Sequence, residues 1–197
     1  MDATPQRRKF GWLFGILGVV IVLLLWSFGS YNGLIRSKAA VDNSWAQVQT
    51  QYQRRFDLVP NLVSTVKGAA NFEQQTLTQV TEARTKFLSG GSRSDQIAAA
   101  GQFESALSRL LVTVEAYPQL KATQAFSDLM AQLEGTENRI AVARKDYNDA
   151  VTTYNVKVRS FPAVIFASIF GFGPEKLFES SQGASQAPAV NFDQKSS

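Results

Sequence analysis

An uncharged apolar run of 19 residues near the start of the chain constrains its fold more than any other feature. The run extends from Phe10 to Phe28 and reads FGWLFGILGVVIVLLLWSF. As a helix it would be about 28 Å long, which matches the roughly 30 Å hydrocarbon core of a bilayer. Trp12 and Trp26 stand near its two ends, where indole rings favour the membrane interface. The run predicts a transmembrane helix at residues 10–28, with the lipid bilayer as its partner.

The basic flank at residues 1–9 occurs both in membrane anchors and in cleaved signal peptides, and it also predicts the orientation of the chain in the membrane. A cleaved signal peptide would carry a similar flank, but its apolar region is usually about 7 to 15 residues long, so an anchor is favoured. Three basic residues stand at 7–9, whereas Arg36 and Lys38 are the first two after the run. The single apolar run predicts a single-pass inner-membrane protein. Lys and Arg are enriched on the cytoplasmic side of such proteins, so the basic flank predicts the orientation. Its N-terminus would be cytoplasmic and its domain periplasmic or otherwise extracytoplasmic.

The chain contains neither cysteine nor histidine. This composition excludes disulfides, thiol nucleophiles, haem ligation by these residues, zinc sites built on them and the Ser-His-Asp triad. The acidic residues are scattered, which argues against a glycosidase pair or an oxygen-rich metal cage. We therefore predict no cofactor, no metal site and no catalytic role. The alternative is an enzyme whose Ser, Lys, Asp or Glu side chains are brought together by the fold.

The basic residues do not form the clustered face that nucleic acid requires. Half of the formal net charge of +4 comes from the flank at 1–9, which has three basic residues and one acidic residue. Elsewhere the basic residues form only short doublets, at 54–55 and 144–145. Nucleic acid is not an expected partner.

Beyond the anchor, apolar residues recur at spacings of four and three, which predicts helices that pack through one apolar seam. The first such helix covers Val41 to Phe87 and includes Pro60. The seam keeps its phase across Pro60, which favours a kinked continuous helix, although a hairpin at the proline is the alternative.

Two further long helices follow. A loop at 89–92 precedes the second, with Ser94 or Asp95 as its expected cap, and Pro118 ends it. The third begins near Thr123 with the heptad spacing of a coiled coil, and Pro162 stops it.

The remaining residues complete an all-α architecture. A short apolar segment continues to Phe178, and the tail at 180–197 is rich in Ser, Gln, Ala and Gly, so it is expected to be disordered. Strand patterns are absent. We predict an antiparallel helical bundle at 29–179, with three long helices and a short C-terminal helix, behind the transmembrane helix.

Four charged residues interrupt the apolar seams and form a predicted structural charged seam. They are Arg55, Glu73, Glu137 and Arg144. An isolated buried ion is costly, so we expect at least one Arg–Glu contact among them, which would set helix register. A buried polar functional site is the alternative.

Two Tyr-Asn doublets, at 147–148 and 154–155, are separated by seven residues and therefore share one helix face. Tyrosine commonly serves helix interfaces, where its ring packs and its hydroxyl makes one hydrogen bond. We therefore interpret the doublets as part of a structural seam and not as a ligand site.

The stretch FPAVIFASIFGF, at 161–172, carries no charge and is too short to span a bilayer. It is a buried core helix, a membrane-surface segment or a partner-binding patch. If the first helix is continuous through Pro60, three passes place the stretch far from the membrane, and we predict that position. Any uncovered surface there would bind another envelope protein or a second copy of the chain. The candidate contact residues are Phe161, Phe166, Ile169, Phe170 and Phe172.

Several motifs in order resemble the LemA family of small bacterial membrane proteins. They are YNGL at 31–34, RRFDLVPNLV at 54–63, VKG at 66–68, TEAR at 81–84, EAYP at 115–118, TENRIAVAR at 136–144, YN at 147–148, FP at 161–162 and FGF at 170–172. The resemblance implies a helical bundle behind one membrane helix. It implies no catalytic residue and no cofactor.

Overall fold

The computed structural model describes residues 6–67 and 74–178, and every regular element within these ranges is helical. The elements are α1 at Gln6–Lys67, α2 at Gln74–Leu88, α3 at Arg93–Val114, α4 at Pro118–Lys121, α5 at Gln124–Arg159 and α6 at Ala163–Phe170. The predicted all-α helical bundle is confirmed. The predicted disordered tail at 180–197 lies outside the described residues.

Helix α1 is 62 residues long and contains both the apolar run and the first part of the bundle. It continues through Pro60, as the unbroken phase of the seam predicts. Pro60 itself is exposed, whereas its neighbours Val59 and Leu62 are buried, so the proline ring faces away from the core. At about 1.5 Å per residue, α1 extends for roughly 93 Å.

The first predicted helix, Val41 to Phe87, is in fact two helices, which corrects the sequence interpretation. α1 ends at Lys67, and α2 begins at Gln74 and runs back beside it. Phe87, near the end of α2, packs against the rings of Tyr52 and Phe56 at centroid distances of 5.1 Å each. Both helices carry the same apolar spacing because both face one core. The spacing therefore contains no signal for the reversal between them.

Four antiparallel passes form the bundle, in place of the expected three. In the third pass, α3 runs beside α1, and Phe103 meets the Phe56 ring edge-on at 4.8 Å. The fourth pass, α5, returns along α1 and brings Tyr147 to Trp45, with ring centroids 5.3 Å apart. The short α4 lies in the connection between α3 and α5.

Local capping explains where α3 and α5 begin. Gly90 and Gly91 adopt positive φ in the preceding loop, a conformation that glycine accepts without strain. The N-cap of α3 is Ser92, in place of the expected Ser94 or Asp95. Ser92 forms a reciprocal capping box with Asp95. Thr123 caps α5 and accepts a hydrogen bond from the Phe126 amide, at the predicted start.

Among the described residues, α1 is the one helix long and apolar enough to cross a membrane. Its described side chains between Trp12 and Leu25 are exposed, so the bundle does not cover the apolar run. Among the described side chains of α1, the first buried core residue is Leu34.

Candidate functional site

The uncharged stretch at 161–172 lies beside the end of the apolar run, not at the far end of the bundle. The ring of Phe161 is 5.8 Å from that of Trp26, and the ring of Phe170 is 4.9 Å from that of Tyr31. The predicted distal position is therefore wrong. The error follows from the missed reversal between α1 and α2, because one additional pass returns the chain to the end where it started.

This stretch has an inward face and an outward face. Ala167 is buried, and Phe166 and Phe172 pack partly against the core. The outward face is exposed and uncharged. Ser168 is its polar residue, and we call its apolar part the proximal apolar face. It consists of Phe161, Val164, Ile165, Ile169 and Phe170. Of the five predicted contact residues, the structure therefore places Phe161, Ile169 and Phe170 on one exposed surface and turns the other two inward.

The chain leaves α6 through Gly171, whose positive φ of 73° ends the helix in the left-handed conformation. Residues 171–178, which we call the strap, then run along α5 in the opposite direction. Asn155 donates to the carbonyl of Glu175 at 2.8 Å and accepts from its amide at 2.8 Å. Asn148 makes the same pair of bonds with Phe178, at 3.1 and 2.9 Å. Each asparagine therefore binds both backbone groups of one strap residue.

The two tyrosines extend this arrangement. The hydroxyl of Tyr154 donates to the Gly173 carbonyl at 3.0 Å, and that of Tyr147 donates to the Lys176 carbonyl at 2.8 Å. Seven residues of helix rise by about 10.5 Å, and three residues of extended chain cover roughly 10 Å. A seven-residue repeat on α5 therefore matches a three-residue repeat on the strap.

The Tyr-Asn doublets are thus a repeated clamp on peptide backbone, which sequence reasoning missed. The available signal was the polar amide after each tyrosine at the same seven-residue spacing. In a purely apolar seam, both of those positions would be expected to carry apolar residues.

Ion pairs tie the strap to other helices. Glu175 accepts a hydrogen bond from Lys38 of α1 and forms an ion pair with Arg93 of α3, at 3.0 Å. Arg93 also binds Asp42 at 2.7 Å. One strap carboxylate therefore links the starts of two bundle passes.

Phe178 anchors the far end of the strap in an aromatic pocket. Its ring centroid is 5.9 Å from that of Trp45 and 5.6 Å from that of Tyr147, and the Arg144 guanidinium lies 4.9 Å from it. Phe178 is buried as a result. A side chain that follows α6 in the chain is thus part of the core.

The four residues of the charged seam do not form one cluster. Arg55 is buried and forms an ion pair with Glu137, which is an Arg–Glu contact of the kind the seam predicts. Arg144 instead binds Glu104 of α3 at 2.9 Å. Glu73 lies outside the described residues. The partner of Arg144 was missed because Glu104 lies beside an apolar seam and not within it.

Burial raises the pKa of three tyrosines in this region. Desolvation and the charge of Glu104 raise the pKa of Tyr52 far above its usual value. The Glu104 carboxylate also accepts a hydrogen bond from the Tyr52 hydroxyl. Desolvation raises the pKa of Tyr147 to about 12 and also raises that of Tyr154. All three phenols therefore remain protonated near neutral pH. Tyr147 and Tyr154 keep the donors that the strap requires.

Two cavities on the described part of the surface are open grooves. One of about 520 Å³ includes Arg55, Glu134 and Glu137 among apolar neighbours. Another, of about 640 Å³, lies between α2 and α3 and is lined mostly by neutral side chains. The described residues contain no group of three or more Asp or Glu placed to hold a metal ion. Open grooves of this kind can form part of a surface that contacts another protein.

The fold and this site define a class: a helical bundle continuous with a helix that could span a membrane, with an apolar face beside the end of that span. The model of the LemA family matches residues 44–192. The chain belongs to the LemA family.

Alignments with three relatives cover most of this chain. It is 26% identical to magnetosome protein MamQ 2 of Paramagnetospirillum magneticum over 210 residues, which covers 91% of this chain and 77% of that protein. It is 26% identical to protein LemA of Metamycoplasma hominis over 159 residues, which covers 80% of this chain and 72% of that protein. Magnetosome protein MamQ of Magnetospirillum gryphiswaldense is 25% identical over 208 residues, covering 90% and 76%.

Proposed function

We propose that this protein is a non-catalytic interaction module, anchored in the inner membrane by α1 and displayed on its extracytoplasmic side. The observation that carries the proposal is the continuity of α1, which joins the apolar run to the bundle core without a break. Val41 and Tyr52 are core residues of the same helix that contains the run. An unbroken helix transmits the orientation of the anchor to the bundle, which suits a fixed platform for another protein.

The use of the charged and polar side chains supports a module over an enzyme. Arg55, Arg93 and Arg144 each pair with a carboxylate on another element. Asn148 and Asn155 of α5 hold the strap. An enzyme would need a water-excluding pocket with at least two convergent titratable groups, and the described grooves are open. The proposed partner is another envelope protein or a second copy of this chain.

The orientation can be tested with a reporter fused after Ser180. We expect an alkaline phosphatase fused there to be active, because that enzyme folds only outside the cytoplasm and the basic flank favours a cytoplasmic N-terminus. A fluorescent cytosolic reporter at the same site serves as the opposite control. Fluorescence together with a silent phosphatase would reverse the assignment.

The module role can be tested by crosslinking, because a single introduced thiol is unique in a cysteine-free chain. Gly101 lines the groove between α2 and α3, whereas Gly135 lies on α5. Both are exposed, and a Cβ at either position would meet nothing within 4 Å. Gly101→Cys and Gly135→Cys are therefore matched variants. Each would carry a thiol-linked photocrosslinker in the full-length protein in its native membrane.

A specific contact is expected to give an adduct of one defined mass at one position and not at the other. Self-association would give twice the chain mass of 21.6 kDa. Adducts at neither position, together with a monomeric particle in mild detergent, would contradict the module proposal. That result would favour the enzyme alternative.

A further inference from the structure

The position of α6 along α1 sets its level relative to the membrane. The two α1 rings that contact the stretch at 161–172 are Trp26 and Tyr31. They are separated by about 7.5 Å along the helix axis. Trp26 stands near the end of the apolar run. The stretch therefore flanks the last turn of the span and the first turn beyond it, which is the level of a membrane interface.

The proximal apolar face is continuous with the exposed surface of the span. Phe161 is 74% exposed and lies against the exposed Trp26 of the span, and Ile169 is 69% exposed. No charged residue occurs from 161 to 172. A contiguous apolar surface of this kind, left in water, would favour aggregation, and lipid is the cover nearest to it.

Basic side chains stand just beyond this surface. The Lys157 ammonium is 3.5 Å from the Gly33 carbonyl, which places it two residues further along α1 than Tyr31. Arg36 and Arg159 are also exposed at this end of the bundle. Long basic side chains above an apolar layer are suited to lipid phosphates.

The inward face and the strap hold α6 in place. Ala167 is buried, and Phe172 approaches the Tyr31 ring at 6.2 Å. The clamps of Asn148 and Asn155 secure the chain that follows. α6 is therefore fixed to the bundle with its apolar face turned outward.

We propose that α6 lies in the interfacial layer of the bilayer that α1 crosses, with Phe161, Ile165 and Ile169 in contact with lipid. This inference rests on the proposed anchoring by α1. It adds a second membrane contact, and two contacts at different points fix the rotation of the bundle about the axis of α1. A helix that lies in the interface with its apolar face toward the acyl chains is an established mode of membrane contact.

The test uses single cysteines that carry a nitroxide spin label, in the full-length chain reconstituted in vesicles of phosphatidylcholine and phosphatidylglycerol. The positions are Ile169→Cys on α6, Leu25→Cys in the span and Val142→Cys on α5. Their native side chains are 69%, 68% and 60% exposed in the structure, so the protein itself covers the three labelled positions to a similar extent. Collision rates are measured with oxygen, which concentrates in lipid, and with a water-soluble nickel chelate.

We expect the labels at Ile169 and Leu25 to show high oxygen and low nickel collision rates, and the label at Val142 to show the reverse. A label at Ile169 that behaves like the one at Val142 would overturn the inference while the anchor stands. Low collision rates with both reagents at Ile169 would indicate protein contact and would also overturn it. If the label at Leu25 is accessible to nickel, the anchoring itself fails, and this inference fails with it.

Discussion

The substitution Arg144→Glu is expected to lower the free energy of unfolding by about 3 kcal/mol. Arg144 donates to both carboxylate oxygens of Glu104, at 3.0 and 2.9 Å. Reversal of its charge would place two carboxylates together, beside the Tyr52 hydroxyl that also binds Glu104. The guanidinium contact with the Phe178 ring would be lost as well. The estimate is at the low end for a buried pair, because the two side chains are 23% and 26% exposed.

Urea unfolding of the full-length chain in detergent measures this effect, followed by the tryptophan fluorescence to which the buried Trp45 contributes. Arg139→Glu is the matched control, since Arg139 is an exposed residue of the same helix, and we expect it to change stability by less than about 0.5 kcal/mol. The double variant Arg144→Glu with Glu104→Arg restores opposite charges and should recover at least about half of the loss. Equal unfolding midpoints for Arg144→Glu and the control would show that the ion pair does not stabilise the bundle.

Replacing both Asn148 and Asn155 by alanine is expected to release the strap while the helices remain folded. Each asparagine makes two hydrogen bonds to strap backbone. At about 1 kcal/mol per bond, one substitution would speed local opening roughly 30-fold and both together about 1,000-fold. The amides of Glu175 and Phe178 report the change directly, because each donates to one of the asparagines.

Hydrogen exchange read by mass spectrometry on the full-length protein measures this release. Asn138→Ala is the control, because Asn138 is exposed on the same helix, and we expect it to leave strap protection unchanged. Unchanged protection in the double variant would mean that the aromatic pocket around Phe178 holds the strap without the clamps. Loss of protection throughout α5 would mean that the clamps support the helix itself.

Most features that the sequence predicted correctly depend on interactions between near neighbours in the chain. Helix content, the continuity of α1 through Pro60 and the start of α5 at Thr123 follow from periodicity and capping. The apolar run needs only its length and composition to predict a helix that could span a membrane. An Arg–Glu contact within the charged seam followed from the cost of burying an isolated charge, and Arg55 and Glu137 make one.

The tertiary structure alone decided the number of passes, and with it the location of α6. A seam with spacings of four and three looks the same in one long helix and in two that face each other, so the reversal after Lys67 left no mark in the pattern. The pairing of Arg144 with Glu104 depends on how α3 and α5 are aligned, which local spacing does not contain.

The strap is the clearest example of a contact that the sequence pattern does not contain. Its recognition by Asn148 and Asn155 is directed at backbone groups, which every residue carries, so the strap's own side chains give no sign of it. Sequence patterns report how side chains divide between water and the core. They do not report which backbone a polar side chain will meet once distant segments are packed together.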